Sequence, residues 1–361
     1  MFVFRKFRFV LTPFLLGSGS LAVPAQQPSP QPNEVQQTVT VTTAIPPIPL
    51  SESNRSVMTL DTREQPLLFN NVADYLRQDT TVNLQSRAAS GVQADLSIRG
   101  TTFEQSLVLL NGLRINDPET AHLNLDIPVP LDALSRVEVL HGSGSTFYGS
   151  DAIGGAVNLI TERPAQDTRL SLIAKSGAGN YGSLENHLRA DYSTRRVSEE
   201  LAGSRDTSNG FMPDRNYSSN ALSSETWLSV LKPGTTDVML AASDRPYGAN
   251  QFYGAYDSWE RTKGWFAALQ QQVGQRTSAS FAYRRHTDLF VLLLDQPNYY
   301  RNNHVTTAWQ GALRRADALG TNTTLSYGLE ANGDAIHSTN LGVHARNQGA
   351  GYVNRDRKSV V

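Results

Sequence analysis

The sequence predicts a small mixed α/β domain followed by an antiparallel transmembrane β-barrel. Three observations carry that expectation. The run from Arg136 to Thr161 sets Gly142, Gly144, Gly149, Gly154 and Gly155 between two short apolar stretches that read as strands. From Thr168 onward, apolar and charged residues alternate with a period of two. The connections between these later strands alternate short and long, as the turns and loops of a membrane barrel do.

Composition bounds the function. The chain has 361 residues, enough for two domains. Its net charge of −1 gives no basic footprint for nucleic acid. It has no cysteine, which removes zinc fingers, iron–sulfur ligation, thiol catalysis, disulfides and a lipoprotein anchor. Mean hydropathy is negative, and beyond the N-terminus no stretch reaches the ~20 apolar residues of a membrane helix. A membrane barrel gives the same composition, because only alternate residues meet lipid.

The N-terminus reads as an export signal. Arg5, Lys6 and Arg8 precede the apolar Phe9 to Leu16, and Val23-Pro24-Ala25 supplies small residues for cleavage after Ala25. Residues 26–53 form a linker rich in proline and glutamine, which favours extended chain. Within it, Gln37, Thr38, Val39, Thr40, Val41, Thr42 and Thr43 alternate like a strand awaiting a partner edge.

Residues 54–164 read as the α/β domain. Val72 and Leu76 share one helical face. Asp95 to Gly100 alternates like a strand, and Ser106 to Leu110 is another. Asn111-Gly112 signals a two-residue hairpin, with Leu113 to Ile115 returning. Pro130 to Ser135 suits a short helix with proline in its first turn. Val137 to Leu140 and Ala156 to Ile160 are the strands that flank the glycine-rich run. That run is not a phosphate loop: no Gly-Lys-Ser/Thr follows and no third glycine completes GxGxxG. Nor is it a nucleophile elbow, since no serine centres GxSxG.

Residues 165–361 read as strands near 168–176, 182–193, 198–205, 221–231, 236–244, 260–272, 276–290, 304–315, 322–334 and 350–361. Leu184, Asn186, Leu188, Ala190 and Tyr192 alternate with Glu185, His187, Arg189 and Asp191. Alternation alone fits a soluble sandwich as well as a barrel. Connection length separates them: 194–196, 232–235 and 273–275 are short, whereas 206–220, 243–259, 295–303 and 336–348 are long. The long connections carry Phe211, Tyr217, Tyr247, Phe252, Tyr253, Tyr256, Tyr299 and Tyr300, suited to an aromatic girdle or a stacking surface. About ten strands are too few to close around a domain of this size, because barrel diameter grows with strand number. The chain also ends on Val361 without a terminal aromatic, so a truncated, incomplete barrel is expected.

Arg136-Val137-Glu138-Val139, Gly142, Tyr148-Gly149-Ser150-Asp151-Ala152-Ile153-Gly154-Gly155 and Val157-Asn158-Leu159-Ile160-Thr161, in that order, resemble the end of the plug domain of TonB-dependent outer-membrane receptors. Ile98-Arg99-Gly100 and Leu109-Leu110-Asn111-Gly112 extend the likeness. The motif is nearest to that of vitamin B12 receptors, though siderophore receptors share it.

The resemblance implies active uptake of a scarce nutrient, an iron–siderophore or cobalamin-like ligand, across the outer membrane of a Gram-negative cell. It makes Gln37–Thr43 the TonB box, handed to a periplasmic energy transducer. It implies that Arg99, Arg136 and Glu138 form a paired charge network in the plug and against the barrel wall. It makes Phe103, Glu104, Gln105, Asp117, Glu119, His122 and Asn124 candidate contacts to substrate. No other ligand stands at metal spacing beside His122, and no cofactor or resident metal is expected. The partners implied are the transducer, outer-membrane lipid and a small ligand, with no nucleic acid, and the chain is expected as a monomer. The seven histidines form no catalytic motif, so an enzyme is not expected. The alternatives are a non-transporting remnant, an adhesin or a passive pore.

Overall fold

A computed structural model of the chain describes residues 40–41, 48–49, 56–88, 90–166, 168–229, 234–320 and 323–357. Strands β1 (Thr40–Val41) and β2 (Ile48–Pro49) pair antiparallel. The remainder of the Gln37–Thr43 segment and the whole of residues 1–25 lie outside the described residues.

The N-terminal domain follows as β3 (Val57–Asp61), α1 (Val72–Leu76), β4 (Val82–Ser86), β5 (Ala94–Ile98), β6 (Ser106–Leu110), β7 (Leu113–Arg114), β8 (Leu134–His141), α2 (Ser145–Tyr148) and β9 (Gly155–Thr161). Its main sheet has the order β3-β8-β9-β6-β7, with β4 and β5 as a separate hairpin. β6 and β9 run parallel, and the other neighbours are antiparallel. Helix α1 starts where Asn71 Oδ1 accepts the Asp74 amide at 3.0 Å, and buries Val72, Ala73, Tyr75 and Leu76.

At the β6–β7 turn, Asn111 has φ of +50° and Gly112 of +78°, as a type I′ hairpin requires. Pro130 caps a short 3-10 turn over Leu131–Ala133, where the sequence placed a helix start. Gly155 is needed for a different reason: a Cβ there would lie 2.2 Å from the Leu140 carbonyl oxygen of the paired strand. Glycine therefore lets β8 and β9 close at the start of their ladder.

The second part of the chain is one meander of ten strands: β10 (Ser171–Ala178), β11 (Leu184–Ser193), β12 (Val197–Ser208), β13 (Tyr217–Leu228), β14 (Thr236–Gly248), β15 (Trp259–Val273), β16 (Thr277–Val291), β17 (Arg301–Ala318), β18 (Thr323–Ser338) and β19 (Gly342–Arg357). Every neighbour is antiparallel. The expected strands all appear, with one correction. The long connection read over 336–348 is only the turn 339–341, and β19 begins at Gly342. His344, Arg346, Asn347 and Gln348 are polar, so hydropathy hides a strand that its backbone ladder to β18 defines.

The polarity of this sheet is inverted. On β11, Leu184, Leu188 and Tyr192 are 51%, 55% and 46% exposed, whereas Arg189 and Asp191 are 7% and 8% exposed. Leu222, Leu240, Trp265, Phe281 and Leu329 continue the exposed apolar side on later strands. A water-soluble sandwich turns its apolar face inward, so this arrangement removes the ambiguity that alternation left. The charged side faces the N-terminal domain. Ala202, Met239, Ala241, Phe266, Ala268 and Ala282 of the wall join the domain's core of Val108, Leu110, Val137, Val139, Val157 and Leu159. The opposite face of the domain sheet carries a smaller cluster of Leu107, Leu109, Leu140, Tyr148, Ala152 and Ala156.

Candidate functional site

The functional geometry lies in the seam between the domain and the wall. The segment between β7 and β8 carries Asp117, Glu119 and Asp126 into it. Arg284 Nη1 donates to Asp117 Oδ2 at 3.2 Å, and the Thr306 hydroxyl donates to the same oxygen at 3.3 Å. His286 Nδ1 stands 2.8 Å from Asp117 Oδ2, an ion-pair distance without hydrogen-bond alignment. Its Nε2 lies 2.8 Å from Asp126 Oδ2, and Arg245 Nη1 lies 2.7 Å from Asp126 Oδ1.

Burial alone would raise both aspartates. The His286 and Arg284 charges instead hold Asp117 at about 2. Arg245 and His286 hold Asp126 well below the usual carboxylate range. At Glu119 the balance tips the other way: burial, reinforced by the Asp117 charge, outweighs the His286 charge and pushes it up to about 8. A second node centres on Asp132, which pairs with Lys175 and His187 of the wall. Its backbone carbonyl accepts from Arg189 Nη1 at 2.9 Å. Burial opposes ionisation of Asp132, and the bonds from His187 and Lys175 overcome it, lowering its pKa.

Contacts also mark the two ends of the seam. Where the strand connections are short, Asn111 Nδ2 donates to Glu225 Oε1 at 3.1 Å, and Gln270 Nε2 donates to the Asn111 carbonyl at 2.9 Å. At the other end, Arg87 Nη1 donates to the Phe252 carbonyl at 2.9 Å, and Gln93 Nε2 donates to the Tyr253 hydroxyl at 2.9 Å. The Arg87 guanidinium sits 5.2 Å above the Tyr253 ring, and that of Arg215 sits 4.3 Å above Phe252.

Residues 50–156 match the family described as the TonB-dependent Receptor Plug Domain. Residues 50–156 are thus similar to a receptor plug domain. A 111-residue stretch of the chain is 32% identical to the vitamin B12 transporter BtuB of Vibrio cholerae serotype O1, covering 31% of this chain and 18% of the transporter. The fold of plug and wall together is that of solved TonB-dependent receptors. The siderophore receptor PirA from Pseudomonas aeruginosa superposes with a TM-score of 0.61 at 18% identity, over 83% of this chain and 52% of that one. The ferric citrate transporter FecA gives 0.65 at 15% identity, over 84% and 54%. The chain thus spans about half the length of these receptors, and its ten-stranded sheet is an incomplete barrel wall around the plug.

The plug distributes the residues singled out from sequence unevenly. Arg136 Nε and Glu138 Oε1 pair at 3.0 Å on one strand, with Glu138 fully buried. Arg99 is exposed, at φ of +55°, with its guanidinium beside Gly142. Asp117 and Asn124 are buried in the seam: Asn124 Oδ1 accepts the Asp117 amide at 3.1 Å while the Asp117 carboxylate faces the wall. Glu119 lies beside them, 3.3 Å from His304 Nδ1. His122 Nδ1 stands 2.7 Å from Asp95 Oδ1, with Phe103 packed at 5.7 Å from its ring. Glu104 is exposed, and Gln105 Oε1 accepts the Thr102 amide at 3.4 Å.

Sequence reasoning missed Asp126, Asp132, Arg87 and Gln93 on the plug. Asp126 and Asp132 flank an apolar proline-rich stretch and carry no motif of their own. Tyr247 and Phe252 belong to neither an open stacking surface nor a girdle, because both are buried with Ala249 against Val92 and Ala88 of the plug.

Proposed function

We propose that this chain forms the plug and adjoining barrel wall of an outer-membrane receptor for active uptake of a scarce nutrient. The ligand class is an iron–siderophore or a cobalamin-like chelate. An N-terminal signal exports the chain, and a TonB-type transducer draws on Gln37–Thr43. The reading is carried by one observation. The matched plug is tied by buried ion pairs to a sheet whose apolar side faces outward, which suits a plug seated inside a lipid-facing wall. The vitamin B12 transporter at 32% identity supports the cobalamin branch, and the receptor folds support the siderophore branch.

No catalytic role is assigned: energy would reach the plug mechanically, and ligand binding would shift the population of exposed N-terminal strand. Of the plug candidates, Phe103, Glu104, Gln105 and His122 remain the proposed ligand contacts, being at least partly accessible.

The test is Val39→Pro in cells that express the receptor. Energised uptake of labelled cobalamin or ferric siderophore should vanish while surface binding persists. Equal loss of both would make the segment structural. Uptake that survives collapse of the proton gradient would make the protein a passive pore.

A further inference from the structure

Three side chains in the seam each keep one buried atom without a hydrogen-bond partner, and the three side chains converge. Asp288 on β16 and His304 on β17 are directly opposite one another in the ladder, both on the plug-facing side. Glu119 approaches them from the plug, held in place because its amide donates to Asp117 Oδ1 at 2.9 Å. One ligand atom from each of the three lies within 4.8 Å of the others. Asp288 and His304 are each 6% exposed, and the Glu119 side chain is 9% exposed.

Glu119 Oε2, Asp288 Oδ1 and His304 Nδ1 all lack a hydrogen bond. The 3.3 Å approach of His304 Nδ1 to Glu119 Oε1 is an ion-pair distance without hydrogen-bond geometry. Buried polar atoms are almost always satisfied, so three orphans pointing at one another call for a missing partner. A single cation is one partner that two carboxylates and an imidazole nitrogen can all share.

We propose that Glu119, Asp288 and His304 form a binding site for a first-row divalent transition metal, with Zn²⁺ the best match. Two hard carboxylates alone would suit Ca²⁺ or Mg²⁺, but the imidazole selects a borderline ion. Zn²⁺ takes His and carboxylate ligands at about 2.0–2.2 Å, so the three groups must draw together by side-chain rotation. The fourth position is left for water. The ion would staple the plug segment to two adjacent wall strands, at a point that the Asp117 and Asp126 pairs do not cover. The site is separate from ligand capture at the accessible plug residues.

The test uses the purified full chain in detergent, stripped with chelator and titrated with Zn²⁺ against a chromophoric competitor. One tight equivalent is expected. His304→Gln and Glu119→Gln should each weaken it at least about tenfold, as the loss of a ligand must exceed the loss of a supporting group. His344→Gln serves as control, since His344 is exposed and bonds the Leu341 carbonyl. Absence of a stoichiometric equivalent overturns the proposal. So does unchanged affinity in the Glu119→Gln, His304→Gln double variant. Should a variant fail to fold, the native chain decides alone: Co²⁺ should give visible bands of a nitrogen- and oxygen-ligated ion that Zn²⁺ displaces, and a spectrum of aqueous Co²⁺ only overturns the site.

Discussion

His286 Nε2 on the wall lies 2.8 Å from Asp126 Oδ2 on the plug, and the other ring nitrogen faces Asp117. One imidazole therefore serves two buried carboxylates. Replacing it by alanine removes a charged partner from both and leaves Asp117 with Arg284 and Thr306, and Asp126 with Arg245. His286→Ala should lower the stability of the seated plug by about 3–5 kcal/mol, the usual result of breaking a buried pair. The urea midpoint of plug protection from protease measures this. A double-mutant cycle with Asp126→Asn should show coupling, and strict additivity would mean that the two groups do not interact.

Acid should loosen the same seam. Asp126 and Asp132 both titrate below their ordinary value of 3.8 in the folded chain. A depressed folded pKa gives stability that is complete above the unfolded value and is lost as pH falls through the folded one. Stability should therefore hold as pH drops towards 3.8 and decline below it. Asp132→Asn should flatten part of that decline. An unfolding midpoint in native chain that stays level below this value would exclude the contribution.

Two glycines should respond differently to alanine. At Gly112 no atom lies within 4 Å of an added Cβ, so only the positive φ is strained, at about 1–2 kcal/mol. At Gly155 the added Cβ meets the Leu140 carbonyl oxygen at 2.2 Å, and backbone cannot step aside. Gly112→Ala should keep slow amide exchange in β8 and β9. Gly155→Ala should lose it, starting with the pairs His141–Gly155 and Leu140–Ala156.

The outward face of the wall should reject charge. Leu222, 64% exposed near the middle of β13, is the test position. Leu222→Arg should cost about 2–4 kcal/mol if the residue meets the bilayer centre. The measurement is partitioning and folding in lipid vesicles. An arginine tolerated there without loss would place Leu222 in water.

Local chemistry was legible in the sequence, and long-range chemistry was not. Asn111-Gly112 announced its turn, and Ser106 to Leu110 announced its strand, because the signals sit in adjacent residues. β3 and β4 were missed because each is short and pairs at an edge or in a separate hairpin. The partners of Asp117 were out of reach: Arg284 stands 167 residues away, and only the fold joins them. The exposed side of β11 was readable as a face, but which face pointed outward required the N-terminal domain packed against the other.

β3 occupies the margin of the plug sheet and hangs on β8 through the rungs Val57–Leu140 to Asp61–Arg136. A tug on the chain ahead of Val57 loads those rungs before any others in the sheet. Tearing them strips one border strand and leaves the parallel β6–β9 centre clamped between its neighbours. The plug thus has a built-in order of failure, margin first. A single-molecule pull from the N-terminal side should lose β3 in a short early step, well before the core yields.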